Sequence, residues 1–132
     1  MRYMLDTNVV SQLIRKNPAV VSRVTTAPMA ALCISAVTEG ELLFGLAKRP
    51  AATQLHAAVT EFLKRVEVLP WDSSAAEHYG TLRASMEAQG KPLAPLDMLI
   101  GAHAASLRAV LVTNDQAFQR ISDLRVEDWT EN

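Results

Sequence analysis

The sequence predicts an α/β fold, with a central parallel sheet of about five strands and helices on both faces. Short apolar runs alternate with longer segments that carry apolar residues at helical spacing, the pattern of repeated βαβ units. Hydrophobic residues make up 49% of the chain and aromatic residues only 5%, so aliphatic side chains must fill the core. At 132 residues, the chain is expected to form a single domain spanning residues 1–132.

Each predicted strand is a short apolar run that is followed by a polar residue or a turn signal. The predicted strands are residues 3–5, 32–35, 66–69, 109–113 and 125–129. Pro70 stops the third strand, because proline has no N–H to donate to a sheet. In parallel sheets of this class, active sites form beyond the carboxyl ends of the strands. Residues that directly follow strands are therefore the first candidates for function.

Helices are predicted where apolar residues recur every three to four positions after a capping residue. They cover residues 9–15, 18–24, 52–65, 96–107 and 116–121, with two more that end near residues 47 and 88. Thr7 or Asn8 is expected to cap the first helix, Ser35 or Thr38 the third, and Ser73 the fifth. This order completes the alternation of strands and helices.

Four acidic residues lie where a helix or turn follows an apolar run. Asp6 ends the first strand and Asp115 follows the fourth, while Glu41 and Asp97 lie early in helices. Carboxylates repel one another, so gathering them in one pocket is costly unless cations neutralise them. Hard oxygen ligands suit Mg²⁺ or Mn²⁺, which commonly serve phosphoryl chemistry. The four residues therefore predict a metal site of a nuclease.

Each acid also has a purely structural interpretation. Asp6 and Asp115 could each be simply a helix cap, and Glu41 could be a half-buried salt-bridge partner. Asp97 is favoured by the helix dipole whatever its function. The neighbours Thr113 and Asn114 leave the same strand as Asp115 and are candidates to hold a carboxylate or a metal-bound water.

Glu41 is chosen over Glu39 because two positions along a helix differ in direction by about 200°. Glu41 is predicted to share a face with Val37 and Phe44, which indicates the packed side of the helix. Glu39 is expected to face solvent.

The charge balance permits binding to RNA. The formal net charge is −1, but setting the four site acids aside leaves ten of the 14 acidic residues against 13 basic ones. A single cysteine, Cys33, excludes an internal disulfide and a cysteine-based zinc site, and it suits a reducing cytoplasm. Neither a secretory signal nor a membrane-spanning run is expected.

Taken together, four segments of the chain resemble the PIN domain. They are Leu5-Asp6-Thr7-Asn8, residues 33–42 with Gly45, Pro95-Leu96-Asp97 running into residues 100–104, and Val112-Thr113-Asn114. More closely, they are similar to the VapC toxins of bacterial VapBC toxin–antitoxin pairs. The resemblance covers essentially the whole chain and implies a single PIN domain with Mg²⁺- or Mn²⁺-dependent endoribonuclease activity.

The resemblance also implies roles for individual residues. Asp6, Glu41 and Asp97 match the three characteristic acids of the family pocket, and Asp115 matches its more variable fourth acid. Four further residues match polar positions that support the acids in the family, namely Thr7, Asn8, Ser35 and Asn114. Because Ala117 and Gln119 stand where relatives offer more carboxylates, a second metal position is in doubt.

The same resemblance implies partners and a substrate. A VapB-type antitoxin is expected to block the pocket and the groove beside it, and a homodimer is expected. Apolar stripes on the first helix and on residues 37–47 are candidates for these surfaces, with core packing as the alternative. Similar enteric toxins cut the anticodon stem-loop of initiator tRNA, which extends the expected substrate from RNA loops to that tRNA.

Two other functional hypotheses stay open from the sequence. A metal-free nuclease would need histidine, for which His56, His78 and His103 are the candidates. Several predicted strands argue against an all-helical histidine-dependent ribonuclease, and His103 is predicted to project away from Asp97. A non-catalytic interaction module, whose acidic pocket binds a basic side chain of the antitoxin, is the second hypothesis.

Overall fold

A computed structural model describes residues 1–131 and confirms the predicted α/β class. Within that range the sheet has five strands, all parallel, and they follow the spatial order β3-β2-β1-β4-β5. The strands are β1 (Tyr3–Leu5), β2 (Leu32–Ser35), β3 (Glu67–Leu69), β4 (Val110–Val112) and β5 (Arg125–Glu127). Each of the five was predicted, although β4 and β5 end earlier than expected. The single domain predicted for residues 1–132 includes Asn132, which lies outside the described residues.

Six α-helices connect the strands within residues 1–131. They are α1 (Thr7–Ile14), α2 (Pro18–Thr26), α3 (Ala36–Ala47), α4 (Thr53–Arg65), α5 (Ser73–Ala88) and α6 (Pro95–Ser106). Two short 3-10 helices, Met29–Ala31 and Gln116–Arg120, precede β2 and follow β4. The second was predicted near residues 116–121, and the first was not predicted because it comprises only three residues.

The predicted helix caps were wrong by one residue at two places. Asp6, not Thr7 or Asn8, caps α1, because its Oδ1 accepts a hydrogen bond from the Thr7 amide at 2.7 Å. Asp72, not Ser73, caps α5 by accepting from the Ala75 amide at 3.1 Å. In both cases an aspartate lies directly before the predicted cap and takes its role.

The order of the strands places a switch point between β1 and β4. The chain builds the sheet outward from β1 through β2 to β3, and then returns to the other side of β1 with β4 and β5. In open α/β sheets, ligands bind at such a point, outside the carboxyl ends of the strands. Asp6 directly follows β1, and Thr113 directly follows β4. These two residues therefore lie at the position where function is expected.

Apolar side chains form two core clusters, one on each face of the sheet. The first joins β-strand residues to α1, α2, α3 and α4, and the second joins them to α5, α6 and the 3-10 helix after β4. Alternate residues of β1 point to opposite faces, since Leu5 belongs to the first cluster and Met4 to the second. The predicted placement of helices on both faces is thus confirmed.

The packed face of α3 differs from the predicted one. Thr38, Leu42 and Leu46 are buried at a spacing of four, whereas Phe44 is 64% exposed. Phe44 is therefore not on the packed side, and the lysine four residues later, Lys48, lies over its ring at 5.1 Å from the centroid. Within residues 1–131, no helix is both long and apolar enough to cross a membrane.

Candidate metal centre

Asp6 is the most rigidly held of the four candidate acids. It is only 5% exposed, and its Oδ2 accepts a hydrogen bond from the hydroxyl of Thr113 at 2.8 Å. With Oδ1 bonded to the Thr7 amide, both carboxylate oxygens have protein donors. Burial raises the pKa of Asp6, the bonds from Thr113 and Thr7 oppose this rise, and the charges of Glu41 and Asp115 add to it.

Thr7, the residue after Asp6, links Asp6 to Glu41. The hydroxyl of Thr7 donates to Oε1 of Glu41 at 2.5 Å and lies 3.3 Å from the hydroxyl of the buried Thr38. This bond joins the first residue of α1 to the middle of α3. Thr7 was predicted as a supporting polar residue, and the structure shows it between the two carboxylates.

Asp115 and its neighbours extend the cluster beyond β4. Asp115 caps the 3-10 helix Gln116–Arg120, since its Oδ1 accepts from the Ala117 amide at 2.9 Å, and its own amide donates to the Thr113 hydroxyl at 3.1 Å. The side-chain amide of the exposed Asn8 donates weakly to Asn114 at 3.5 Å. Asp115 is therefore a cap, as its structural interpretation proposed, and also part of the acidic cluster.

Asp97 lies in the first turn of α6. A glycine lets this helix approach the segment that begins at Asp115, because a Cβ atom at Gly101 would lie 3.0 Å from Cδ1 of Ile121. Desolvation by burial, together with the smaller effects of the charges of Asp6, Asp115 and Glu41, raises the pKa of Asp97 to about 6. A carboxyl at a helix N-terminus normally has a lowered pKa.

The raised pKa of Asp97 shows that all four predicted acids share one electrostatic environment. Each of the other three carboxylates contributes to the rise, although the residues are separated widely along the chain. Such mutual repulsion is typical of sites where cations or protons neutralise the charge. The structure thus places all four sequence-predicted acids within electrostatic range of one another, with Asp6 at the switch point.

The donor set fits a hard divalent cation by its chemistry. Four carboxylates offer the oxygen ligands that Mg²⁺ and Mn²⁺ prefer. Threonine hydroxyls donate hydrogen bonds to two of these carboxylates, those of Asp6 and Glu41, and so orient them. Among residues 1–131, however, no three Asp, Glu, His or Cys side chains lie close enough to share one ion. Asp6, Glu41 and Asp115 each accept a hydrogen bond from the protein, which turns their oxygens toward those donors.

The histidines stand apart from the carboxylates. His56 bonds the carbonyl oxygen of Arg49, and His78 bonds that of Ser74. His103 is 1% exposed, and its Nδ1 lies 2.8 Å from the hydroxyl oxygen of Ser35. Ser35, predicted as a supporting polar residue, therefore pairs with His103 and caps α3. The Ser35–His103 contact was missed because nothing in the sequence links positions so far apart.

A groove of about 360 Å³ adjoins the acidic cluster. Residues of α1, α3 and α4 form it, and Thr7 and Glu41 belong to both the groove and the cluster. Apolar side chains line its floor, namely Ile14, Leu42, Leu46, Leu55 and Val59. Three basic residues, Arg15, Lys48 and Arg49, line its edge, and none of them forms an ion pair within residues 1–131.

Comparison with known proteins identifies the family. The profile of the PIN domain matches residues 3–124. A relative from Shigella flexneri called tRNA(fMet)-specific endonuclease VapC is 37% identical over 131 residues, which cover 98% of this chain and 99% of the relative. A Salmonella typhimurium protein of the same name is 38% identical over 130 residues, or 98% of both chains.

Two solved structures share the fold over nearly the full chain. The DNA-bound VapBC complex from Salmonella typhimurium superimposes with a TM-score of 0.91 at 38% identity and covers 98% of both chains. VapBC2 from Rickettsia felis, bound to a promoter DNA fragment, gives a TM-score of 0.90 at 32% identity, with 98% of this chain and 99% of the other covered. The chain belongs to the PIN domain family and, within it, to the VapC proteins.

Proposed function

We propose that this protein is the toxin of a type II toxin–antitoxin pair and acts as a Mg²⁺- or Mn²⁺-dependent endoribonuclease. The observation that carries the proposal is the hydrogen-bonded arrangement at the switch point, where Thr7 bonds both Asp6 and Glu41 and Thr113 bonds Asp6. Four carboxylates at the switch point of a parallel sheet form a site for hard cations. Relatives that match this chain from end to end carry the names ribonuclease and endonuclease.

In this mechanism, Asp6, Glu41 and Asp97 would hold the cation, with Asp115 contributing directly or through water. The bound cation would supply Lewis-acid activation of water and charge neutralisation at the phosphate. Thr113 and Thr7 fix the orientation of the Asp6 carboxylate through their bonds to Oδ2 and Oδ1. Thr7 does the same for Glu41. A preset arrangement of ligands lowers the cost of reorganisation when charge develops on the phosphate.

The acidic cluster is also suited to move a proton. A carboxylate of the cluster that does not hold the cation would accept a proton from the attacking water as this oxygen bonds to phosphorus in line with the leaving oxygen. The P–O bond on the far side then breaks, and solvent protonates the leaving oxygen.

The proposed substrate is RNA with exposed loops, and the proposed target is the anticodon stem-loop of initiator tRNA. The names of the Shigella and Salmonella relatives, which specify tRNA(fMet), support this choice. The site lies beyond the carboxyl ends of the strands, where Asn8 is exposed and Asn114 and Asp97 are partly exposed, so a loop could reach it. We place the protein in the cytoplasm, where tRNA is found and where the free thiol of Cys33 is stable.

The proposed partner is a VapB-type antitoxin seated in the groove between α1, α3 and α4. An apolar floor with a basic edge fits an amphipathic segment that carries acidic residues. Because Thr7 and Glu41 line the groove as well, an occupant would also cover the acids. The titles of the two matching structures describe VapBC complexes, which supports the pairing. A homodimer is proposed as well, with the exposed Leu43 and Phe44 as candidate contacts.

Cleavage of total tRNA by the purified protein tests the proposal. The reactions contain Mg²⁺, a chelator in its place, or the Asp6→Asn variant with Mg²⁺. We expect discrete fragments only from the unmodified protein with metal, and sequencing their ends identifies the target. Fragments in chelator would contradict the metal mechanism. Intact tRNA in all three reactions, together with tight antitoxin binding, would favour the non-catalytic interaction module instead.

A further inference from the structure

The buried pair Ser35–His103 joins the two helices that carry Glu41 and Asp97. Ser35 ends β2 and caps α3 by accepting a hydrogen bond from the Val37 amide at 3.0 Å. His103 lies on α6, and its Nδ1 is 2.8 Å from the Ser35 hydroxyl oxygen. Glu41 lies six residues after Ser35, and Asp97 lies six residues before His103. Each member of the pair is thus less than two helical turns from a candidate metal ligand.

The surroundings of the pair make its bond a strong constraint. Ser35 is 0% exposed and His103 is 1% exposed, so water does not compete for their polar atoms. A buried hydrogen bond that loses one partner leaves the other unsatisfied, at a cost of about 1–3 kcal/mol. Ser35 also fixes the start of α3, because its hydroxyl oxygen accepts the hydrogen bond from the Val37 amide that caps this helix. A shift of α6 relative to α3 would therefore break the contact.

A fixed contact between the two helices opposes the separation of their acidic residues. Glu41 on α3 and Asp97 on α6 carry like charges, which repel each other at the carboxyl ends of the strands. Helices α3 and α6 are in contact. The apolar side chains of α3 are divided between the two core clusters, because Leu42 and Leu46 belong to the first and Val37 packs against the second. The Ser35–His103 bond is a specific polar link between α3 and α6.

The protonation state of His103 agrees with this role. Burial lowers the pKa of His103, although the charge of Asp72 acts in the opposite direction. A neutral imidazole has one donor and one acceptor. Ser35 has a spare lone pair and a hydroxyl proton, so it bonds Nδ1 in either neutral tautomer.

We propose that Ser35 and His103 are positioning residues: their buried hydrogen bond holds α3 against α6 and so limits how far apart Glu41 and Asp97, the proposed metal ligands on these helices, can lie. The inference rests on the proposed metal-dependent function, which it deepens. It assigns no contact with metal or RNA to either residue. Outer-shell groups that orient ligands commonly contribute 10- to 100-fold to metal affinity. Loss of the bond is therefore expected to weaken metal binding while the fold is kept.

Two variants at position 103 test the inference. His103→Asn keeps a polar atom near the place of Nδ1, whereas His103→Leu fills part of the same space with an apolar side chain. Mn²⁺ binding to each protein is measured by electron paramagnetic resonance, well below its melting temperature and without RNA. We expect the leucine variant to bind Mn²⁺ about 10-fold more weakly or worse. The asparagine variant should retain affinity close to that of the unmodified protein.

Further variants separate positioning from loss of stability. Ser35→Ala should weaken Mn²⁺ binding like His103→Leu, and the double variant should lose little more, because both changes remove one shared bond. Val66→Ala serves as the control, since it destabilises the core at the amino end of β3, whereas Ser35 and the acids lie at the carboxyl ends of the strands. It should lower the melting temperature without changing Mn²⁺ affinity.

Each outcome decides between the proposals. Unmodified protein that binds Mn²⁺, with equal affinity in His103→Leu and Ser35→Ala, would overturn the positioning role and leave the proposed function intact. Unmodified protein that binds no Mn²⁺ would overturn the proposed metal-dependent function and the positioning role with it. Equal losses in His103→Leu and Val66→Ala would show that only overall stability is at stake, which also contradicts the inference.

Discussion

Thr113 donates its hydroxyl to Oδ2 of Asp6 at 2.8 Å across the switch point of the sheet. The bond is buried, and it links the residue after β4 to the residue after β1. These strands are neighbours in the sheet but lie far apart in the sequence. The acidic cluster therefore lies at the topological switch point, and Thr113 holds its buried carboxylate, that of Asp6, through a hydrogen bond.

Removal of the Thr113 hydroxyl is expected to disturb Asp6 without unfolding the protein. Thr113→Val preserves the shape of the side chain but removes the bond that lowers the pKa of Asp6. The pKa of Asp6 should rise, and Mg²⁺ affinity measured by calorimetry should fall about 10-fold. Thr25→Val, which removes an exposed hydroxyl on α2, is the control and should leave affinity unchanged. Unchanged Mg²⁺ affinity in Thr113→Val would show that the bond does not orient a ligand.

Replacement of Asp97 should make the metal-free protein more stable at neutral pH. The folded-state pKa of Asp97 is raised to about 6 from 3.8, so the folded protein holds a proton more tightly than the unfolded chain. The stability that this proton provides is fully present below the unfolded pKa and is lost as pH rises through about 6. In chelator, Asp97→Asn should therefore unfold at higher denaturant than the unmodified protein at about pH 7.5.

The pH dependence of the difference in stability between Asp97→Asn and the unmodified protein tests whether the Asp97 charge causes it. As the pH falls toward about 4, both proteins carry an uncharged side chain at position 97, and the stability gap should close. Urea unfolding at several pH values measures it. If the interaction of Asp97 with the helix dipole prevailed over the repulsion, Asp97→Asn would be less stable at neutral pH, contrary to this account.

Glu41 and Glu39 form a matched pair on one helix. Glu41→Gln keeps an oxygen that can accept from Thr7, but it removes the charge that would hold the cation. Loss of several kcal/mol of electrostatic stabilisation should reduce cleavage by roughly 100-fold or more. Glu39→Gln removes a charge two residues away and should cleave normally. RNA cleavage rates at saturating Mg²⁺ compare the two, and equal rates would exclude Glu41 from the site.

Asp115 has a structural role that can be separated from its charge. Asp115→Asn keeps a cap for the amide of Ala117 and should change the unfolding free energy by less than about 0.5 kcal/mol. Asp115→Ala loses the cap and should cost about 1 kcal/mol. If Asp115 also serves the cation, both variants should weaken Mg²⁺ binding to a similar extent. Weakening by alanine alone would restrict Asp115 to its capping role.

The sequence predicted the sheet and the four acids because both depend on local patterns. Apolar runs that end in polar residues place Asp6 and Asp115 at strand ends, and parallel strands bring such ends to one edge. The acids therefore converge in the structure although nothing in the sequence gives their separation. The same reasoning placed Thr7 and Thr113 nearby, and the structure adds their specific bonds to Glu41 and Asp6.

Other features could not be predicted because they depend on packing over long distances. Phe44 was expected on the packed face of α3, but the buried stripe includes Thr38, a polar residue that hydrophobic patterning does not count. His103 was expected to project away from the Asp97 face, and in the structure it is buried and contacts Ser35. Its partner Ser35 lies 68 residues away and could be found only once α6 had been placed against the end of β2.

The thermal shift produced by Mg²⁺ tests the central claim, that the four carboxylates bind a divalent cation, most directly. A ligand that binds only the folded state raises the melting temperature, by roughly 10 °C for a domain of this size at 100 times its dissociation constant. We predict such a rise for the unmodified protein and little or none for Asp6→Asn. An equal rise in both proteins would show that Mg²⁺ binds elsewhere and would contradict the account.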